Sequence, residues 1–200
     1  MARTIAKDHE EKRQAILGTA ASFFAENGFD RSSMNQLAKA CGVSKALIYH
    51  YYDSKDALLY DIVHTHLSDL LDEVRAVNQT SPDKEANLRQ LIRCILLAYR
   101  DSDEQHQVQA VAMASLPADQ TLVLADLQKQ MIKLVSEALS AVTPQVYAAH
   151  PEKLIPVTMS LFGMLNWFYM WHRPGKGISR EDYADLVTDL VLHGVCGLPT

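Results

Sequence analysis

Cysteine is scarce in this chain of 200 residues, and the three cysteines lie far apart. Cys41, Cys94 and Cys196 are an odd number and form no CxxC pair. The disulfide framework that is typical of small secreted proteins is therefore excluded. The residues from Met1 to Gln14 are charged and lack the apolar core of a signal peptide, so we expect a protein of the reducing cytoplasm.

Helix breakers are also few, with seven prolines and eight glycines, most of them between segments that have a helical repeat of apolar residues. No run of alternating β-branched residues bounded by turns is present. The proportions of 48% hydrophobic and 22% charged residues are those of a folded globular protein. These features predict an all-α protein with long helices, short joints and no sheet.

Positive charge is not in excess, since the formal net charge is −5. The first 60 residues hold eight Lys and Arg against seven Asp and Glu, whereas residues 61–200 hold eleven against seventeen. An acidic surface is repelled by the phosphates of DNA. If the chain binds DNA, we expect the contact within the first 60 residues.

Long charge-free stretches are absent except for one, Leu154–Trp171, which has eighteen residues. This length is near the lower limit for a membrane span. Four residues interrupt its apolar character: Pro156, Thr158, Ser160 and Asn166. We therefore expect a helix buried in a core or a dimer interface, and no membrane partner.

The apolar repeat and its breakers divide the chain into nine predicted helices. The first covers residues 9–26, the second is a helix of seven or eight residues after Ser33, and the third covers about 45–51. A longer helix opens at residues 53 and 54 and reaches about residue 78. Five more are predicted near 84–100, 103–116, 118–142, 151–172 and 179–195.

The second and third helices are joined by a tight turn. Ser33 stands at an N-cap position with Gln36 three residues later, which is the pattern of a capping box. Gly42 supplies a residue that tolerates a positive φ, Val43 an apolar plug, and Ser44 the hydroxyl cap of the third helix. Helix, tight turn and helix in this order predict a helix-turn-helix motif.

In that motif the second helix enters the major groove of DNA, and its N-terminal side chains meet base edges and phosphates. The next helix opens with Asp53, Ser54 and Lys55, which places a helix N-terminus and a lysine where a phosphate could dock. The DNA-binding candidates in the third helix and its cap are Ser44, Lys45, Ala46, Leu47, Tyr49, His50 and Tyr51.

The alternative is a helical interaction module whose hairpin packs against other helices and does not bind DNA. The third helix is rich in donors and aromatic rings rather than apolar on one wide face. Lys39, Lys45 and Lys55 could also lie near one surface. Both features favour DNA binding over the alternative.

Signals for catalysis are missing. The sequence has no nucleophile elbow, no phosphate-binding loop and no HExxH motif. His64 and His66 are two residues apart on a predicted helix, so they point to different faces and do not form a metal pair. We expect neither an enzyme nor a cofactor or metal site.

The run from Leu37 to Leu59, LAKACGVSKALIYHYYDSKDALL, resembles the signature of the TetR family of one-component DNA-binding repressors. The segment from residue 20 to residue 29 is similar to the end of that family's first helix, so the resemblance covers about residues 13–60. The chain departs from the common pattern at four positions: Cys41 replaces Ala, Ala46 replaces Gly, Leu47 replaces a small hydroxyl residue and Tyr52 replaces Phe.

The resemblance implies roles for individual side chains. Tyr49 would pack and bond a phosphate, while His50 and Tyr51 would contact the DNA backbone or bases. Lys55 would bind a phosphate at the start of the next helix. Leu47 would contact a thymine methyl group in place of a phosphate.

Four further residues are weaker candidates. Thr19 and Ser33 lie near helix N-caps or helix faces and are candidate phosphate ligands. Arg3 and Lys7 either form a short basic arm that reaches an adjacent groove or belong to a solvated tail.

The resemblance also implies two domains, a helix-turn-helix DNA-binding domain at 1–53 and a helical effector-binding and dimerisation domain at 54–200. The segment 161–171 is apolar on all sides of a helix and must be covered all round. A homodimer through the last two helices would cover it, and Gly163 would permit close helix approach. The implied function is a repressor that a small apolar effector releases from double-stranded operator DNA.

A shorter resemblance concerns the effector. The segments 166–167, 171–175 and 179–181 are similar to those of TetR regulators that sense acyl-CoA thioesters. The phosphates of CoA would need cations, which several arginines could supply. The methionines are interpreted mainly as core fillers. The effector-binding candidates are Arg93, Met113, Asn166, Trp167, Met170 and Arg173.

Overall fold

The computed structural model describes residues 2–77, 82–100, 103–173 and 175–196, with the side chains of residues 2–6, 195 and 196 left out. The described residues form helices and no strand, which confirms the predicted all-α fold. The helices are α1 (Ala2–Asn27), α2 (Met34–Ala40), α3 (Lys45–Tyr51), α4 (Lys55–Val77), α5 (Lys84–Ala98), α6 (Asp103–Ser115), α7 (Ala118–Val142), α8 (Pro144–Ala149), α9 (Leu154–Asn166), α10 (Phe168–Trp171) and α11 (Arg180–Cys196).

Helix α1 begins at Ala2, well before the predicted start at residue 9. Ion pairs one turn apart support the additional turns: Asp8 bonds Lys12 at 2.8 Å, and Lys7 lies 3.6 Å from Glu11. Such pairs stabilise a helix that has no apolar repeat to indicate it. The side chain of Arg3 and the predicted end of the fourth helix at residue 78 lie outside the described residues.

The prediction of one helix over 151–172 is wrong. A 3-10 turn at Pro151–Lys153 precedes α9, and Trp167 separates α9 from α10. Trp167 has φ −90° and ψ −7°, and the Met170 N–H bonds the Trp167 carbonyl only three residues back, at 3.1 Å, which tightens the turn. No helix in the described parts of the chain is long and apolar enough to cross a membrane.

The chain forms two compact units that do not follow chain order. The first contains Met1–Leu67 and Ser102–Ala125, and the second contains Ser68–Asp101 and Asp126–Thr200. Helices α4 and α7 therefore contribute residues to both units. The predicted boundary between residues 53 and 54 separates a DNA-binding part from an effector-binding part. Packing alone does not test this boundary, so it stays a prediction.

The core of the first unit is built from α1 to α4 together with α6 and the start of α7. Helix α1 packs along α6, and α2 packs against α3. Phe24 and Phe29 meet edge to face with ring centroids 5.1 Å apart. The largest fully buried side chains of this unit are aliphatic: Leu37, Ile48, Leu58, Leu59 and Ile62.

The core of the second unit lies between α5, α9 and α11, with α7 and the end of α4 packed on it. Acidic residues of α11 face two arginines of α5 and Arg100, which follows α5, along one seam. The pairs are Arg89–Asp189 at 2.6 Å, Arg93–Asp185 at 3.9 Å and Arg100–Glu181. Exposed pairs of this kind add little stability, but they do occupy three of the arginines that the sequence offers for phosphate binding.

Two histidines meet inside the first unit. His66 of α4 and His106 of α6 have ring centroids 6.5 Å apart. Burial, and to a lesser extent the nearby His106, lower the pKa of His66 to about 4. Burial also lowers the pKa of His106, although Asp103 opposes that shift. Both rings are therefore neutral at neutral pH.

The substitution His66→Gln should make the free energy of unfolding less dependent on pH. In the unfolded chain His66 is protonated below its ordinary pKa of 6.5. In the folded chain it stays neutral down to about pH 4. As the pH is lowered from about 6.5 to about 4, the free energy of unfolding of the natural chain should therefore fall, by up to about 3 kcal/mol. Urea unfolding of both chains at several pH values tests this, and parallel pH profiles would contradict it.

Candidate nucleic-acid interface

The turn between α2 and α3 is fixed by backbone hydrogen bonds. Gly42 has φ +65°, which confirms the predicted positive φ. The Gly42 N–H bonds the Lys39 carbonyl at 3.2 Å, and the Val43 N–H bonds the Ala38 carbonyl at 3.0 Å. This pair of bonds is a Schellman motif, which ends α2 and sets the direction in which the chain leaves it.

Both helices of the motif are capped as predicted. Ser33 and Gln36 form a complete capping box, and the Ser44 hydroxyl oxygen accepts the Leu47 N–H at 3.1 Å. The Ser33 hydroxyl also donates to the Gln36 side-chain oxygen at 2.8 Å. Ser33 is thus already occupied in capping α2, and its contact with a phosphate stays a prediction.

Helix α3 is held to the first unit by one fully buried side chain, Ile48. Leu47 and Tyr51 are half-buried. The other DNA-binding candidates of this helix and its cap are exposed: Ser44, Lys45, Ala46, Tyr49 and His50. One side of α3 therefore faces the core, and the opposite side presents polar and aromatic groups.

Two exposed donors lie one turn apart on that side. The Lys45 ammonium lies 5.8 Å from the ring centroid of Tyr49, within the range of a cation–π contact. His50 follows on the same helix, with its ring edge-on to Tyr51. An ammonium, a phenol and an imidazole close together suit the acceptors of phosphates and base edges.

Tyr51 connects the end of α3 to α1. Its ring lies 4.6 Å from the ring of His9, and its hydroxyl donates to the His9 carbonyl at 3.4 Å. The N-terminal turns of α1 therefore lie beside the last turn of α3. Lys7 belongs to these turns and is exposed.

Lys55, the first residue of α4, reaches back to the loop after α1. Its ammonium donates to the Phe29 carbonyl at 2.7 Å and to the Asp30 carbonyl at 3.5 Å, and it lies 4.2 Å from the Phe29 ring centroid. A lysine has three donors, so one is left over. Binding of a phosphate by Lys55 stays a prediction.

A carboxylate that the sequence analysis missed joins three helices of this unit. Asp61 of α4 accepts hydrogen bonds from the Arg13 guanidinium of α1 at 2.7 and 3.0 Å. It also accepts from the Tyr52 hydroxyl, directly after α3, at 2.6 Å and from Thr65 at 3.3 Å. Residues 13 and 61 are distant in sequence, so no local pattern indicates the pair.

The protonation states of this cluster are well defined. Burial alone would raise the pKa of Asp61, but hydrogen bonds from Arg13 and Tyr52 outweigh burial and hold the pKa below its ordinary value. Burial and the bond to Asp61 raise the pKa of Tyr52. At neutral pH an ionised carboxylate therefore accepts from a guanidinium and a neutral phenol, which makes these hydrogen bonds strong.

The effector-binding candidates lie in both compact units. Met113 is half-buried in the first unit, and the other five belong to the second. The Asn166 side chain accepts a hydrogen bond from the Tyr99 hydroxyl at 3.1 Å, and Arg93 pairs with Asp185. The remaining three are exposed: Trp167, Met170 and Arg173. Their role stays a prediction.

Comparison with known families matches both parts of the chain. Residues 16–62 match the model of the bacterial regulatory proteins of the tetR family. Residues 81–195 match the model of the tetracyclin repressor-like C-terminal domain. The second match alone covers more than half of the chain.

Individual relatives agree with the family models. A TetR-family transcriptional regulator from Bordetella parapertussis 12822 is 34% identical, with a TM-score of 0.85 over 94% of this chain and 97% of that one. AibR, solved in complex with isovaleryl coenzyme A and operator DNA, is 25% identical, with a TM-score of 0.77 over 90% of this chain and 97% of that one. The transcriptional repressor KstR2 of Rhodococcus jostii is 24% identical over 92% of this chain and 91% of its own length.

These matches decide between the classes of protein that the sequence left open. The capped helix pair with its exposed second helix lies inside the matched N-terminal region, residues 16–62. A helical module that only packs and an enzyme are both set aside, because the family consists of DNA-binding regulators. The chain belongs to the TetR family of bacterial transcriptional regulators.

Proposed function

We propose that this chain is a repressor that binds a near-palindromic operator as a homodimer and leaves it when a small apolar effector binds. The observation that carries the proposal is the exposed side of α3, which offers Lys45, Tyr49 and His50, while Ile48 is the one fully buried side chain of the helix. The site of action is the cytoplasm, where bacterial operators lie.

In this proposal α3 lies in the major groove with its N-terminus toward the bases. Tyr49 and Lys55 hold phosphates, and His50 and Tyr51 contact the backbone or bases. Phosphate contacts fix the register of the protein, and base contacts provide specificity. The complete set of proposed DNA-binding residues is Ser33, Ser44, Lys45, Ala46, Leu47, Tyr49, His50, Tyr51 and Lys55.

An exposed apolar surface on the second unit supports the homodimer. On α9, Ile155 and Met159 are exposed, and Trp167 just after it is 61% exposed. On α11, Leu186 and Leu190 are exposed, and α11 packs against α9. Large apolar patches on a protein surface indicate an interaction site.

The spacing of this surface fits helix packing against a second copy. Residues 155, 159, 163 and 167 recur every four residues, so they lie along one side of α9. Gly163 falls within the row, and nothing lies within 4 Å of a methyl group placed there. Two copies of α9 and α11 would form a four-helix bundle that covers these side chains.

A two-fold dimer would also extend the DNA contact beyond what one copy of α3 can reach. A helix of seven residues reaches few base pairs, which is too little for specific binding. Two such helices related by symmetry reach half-sites about 34–36 Å apart. The operator is therefore expected to be a near-palindrome.

The effector is proposed to bind in the domain formed by residues 54–200, and its class is an acyl-CoA thioester. AibR, which binds isovaleryl coenzyme A and operator DNA, shares the fold along 97% of its length and supports this class. The proposed effector-binding residues are Arg93, Met113, Asn166, Trp167, Met170 and Arg173. Release of DNA requires that the effector bind the DNA-free form better than the DNA-bound form.

Removing the Lys55 ammonium should weaken binding to every DNA sequence. For Lys55→Ala we expect lower affinity for operator and unrelated duplexes alike, because a phosphate contact carries no sequence information. The plot of log affinity against log salt should flatten by about 0.9. Fluorescence anisotropy at four salt concentrations measures both. Unchanged affinity together with an unchanged salt slope would refute the role of Lys55.

Lys55 also donates to the Phe29 carbonyl, so its loss could weaken the fold as well as the DNA contact. A second variant distinguishes these two effects. Tyr49→Phe removes one exposed hydroxyl and should leave the melting temperature unchanged. It should still weaken binding to both kinds of duplex. Melting curves of both variants accompany the binding data.

A charge among the exposed apolar residues of α11, Leu186 and Leu190, should separate the dimer into monomers. Leu190→Glu is expected to give folded monomers with greatly reduced operator affinity, since Leu190 is 55% exposed and takes no part in the core. Sedimentation equilibrium at micromolar concentration measures the mass. The matched control is Gln107→Glu on an exposed side of α6, which should stay dimeric. A natural chain that sediments as a monomer would disprove the dimer.

Effector and operator should weaken each other's binding by the same factor. Isovaleryl-CoA and phenylacetyl-CoA are titrated calorimetrically against the free protein and against its operator complex. The expected difference in affinity is about 5- to 150-fold. Equal affinity in both states would show that the compound is no inducer. If neither thioester binds, the effector class is wrong, while the DNA-binding role is unaffected.

A further inference from the structure

The residue directly after the recognition helix bonds a side chain of another helix. Tyr52 has 6% of its surface exposed, and its hydroxyl lies 2.6 Å from Asp61 of α4. Its backbone N–H bonds the Ile48 carbonyl, so Tyr52 moves with the last turn of α3. The bond to Asp61 therefore joins the end of α3 to α4.

The carboxylate is held from its other side as well. The Arg13 guanidinium of α1 donates to both Asp61 oxygens and also to the Thr65 hydroxyl at 3.0 Å. Two fixed hydrogen bonds from one guanidinium define the orientation of a carboxylate. The oxygen that meets Tyr52 is therefore in a set place relative to α1 and α4.

The hydroxyl of Tyr52 is not needed to fill the core. A phenylalanine would bury the same ring without a polar group that requires a partner. What the hydroxyl adds is a directional bond to a charged acceptor. Ile48 and the Ser44 cap fix other parts of α3. At its C-terminal end Tyr51 contacts His9 of α1, and the bond from Tyr52 to Asp61 adds the contact with α4.

We propose that Tyr52 and Asp61 position the recognition helix for sequence-specific binding. Tyr52 is a positioning residue that acts through the orientation of α3, and Asp61 is its fixed acceptor. Without this bond the C-terminal turn of α3 gains freedom, and His50 and Tyr51 meet the bases less often in the right geometry. The inference rests on the proposed placement of α3 in the major groove.

The two kinds of DNA contact should respond differently. Base contacts depend on the angle at which α3 lies in the groove, whereas the phosphate contact proposed for Lys55 belongs to α4 and does not depend on that angle. Loss of the bond should therefore reduce affinity for the operator and leave affinity for unrelated DNA unchanged. The ratio of the two affinities is the quantity that reports positioning.

The test compares Tyr52→Phe with the natural dimer. Operator duplex is first selected from a random library by the natural protein, and a shuffled duplex of equal composition serves as unrelated DNA. We expect operator affinity to fall about three- to tenfold, which is the effect of losing one typical protein hydrogen bond. Affinity for the shuffled duplex and the salt slope on the operator should not change.

Two further variants complete the test. Tyr60→Phe removes a hydroxyl from α4 that is not a donor to Asp61, and it should bind as the natural protein does. Asp61→Asn removes the charged acceptor and should lower the affinity ratio in the same direction as Tyr52→Phe. All measurements are made well below the lowest melting temperature, so that differences in stability do not enter.

The outcomes separate this inference from the proposed function. If Tyr52→Phe leaves the operator-to-shuffled ratio unchanged, or weakens both duplexes equally, positioning by Tyr52 is refuted. If Lys45→Ala on the exposed side of α3 also leaves binding unchanged, the placement of α3 in the groove is wrong. If Lys45→Ala weakens binding and Tyr52→Phe does not, only the positioning role fails.

Discussion

A helix of seven residues does not keep its conformation in water through its own hydrogen bonds, because the cost of nucleation exceeds the few bonds it forms. The recognition helix α3 therefore depends on its surroundings. Ser44 caps its first turn, Ile48 anchors its middle, and Tyr52 ties its end to Asp61. The helices around α3 supply these contacts, so much of the first unit serves to hold one short helix in place.

The parts of this arrangement that sequence predicts are local. Ser33 with Gln36, Gly42 and Ser44 each act within about three residues of their own position, and a local rule describes each one. The helix-turn-helix could therefore be located in advance to within a residue or two. The family resemblance agreed with these signals and added roles that the structure alone does not test.

The contacts that escaped prediction connect distant parts of the chain. Arg13 and Asp61 are 48 residues apart, with two helices between them, and Tyr52 stood out only as a departure from a common Phe. The same limit applies to the arginines. Arg93 could be read from sequence as a free cation, but only the packing of α5 on α11 brings it beside Asp185.

The apolar character of α9 could be recognised from sequence, but not which of its sides the chain itself covers. Leu161 and Leu165 are buried inside the second unit, whereas Met159 on the other side of α9 is half exposed. A helix that is apolar all round must be buried on both sides. The sequence alone does not indicate which side packs within the chain and which side packs on a partner. The structure divides the helix into an inner side and an outer side.

The presence of one fully buried side chain in α3 has an evolutionary consequence. Within α3 only Ile48 is fully buried, so the side chains that face outward make no demand on the core. Lys45, Ala46, Tyr49 and His50 can therefore mutate without repacking the protein. A duplicated copy of this gene could acquire a new operator through a few substitutions while its fold stayed intact. Separate residues carry stability and recognition, which lets a lineage diversify its regulatory targets on one inherited scaffold.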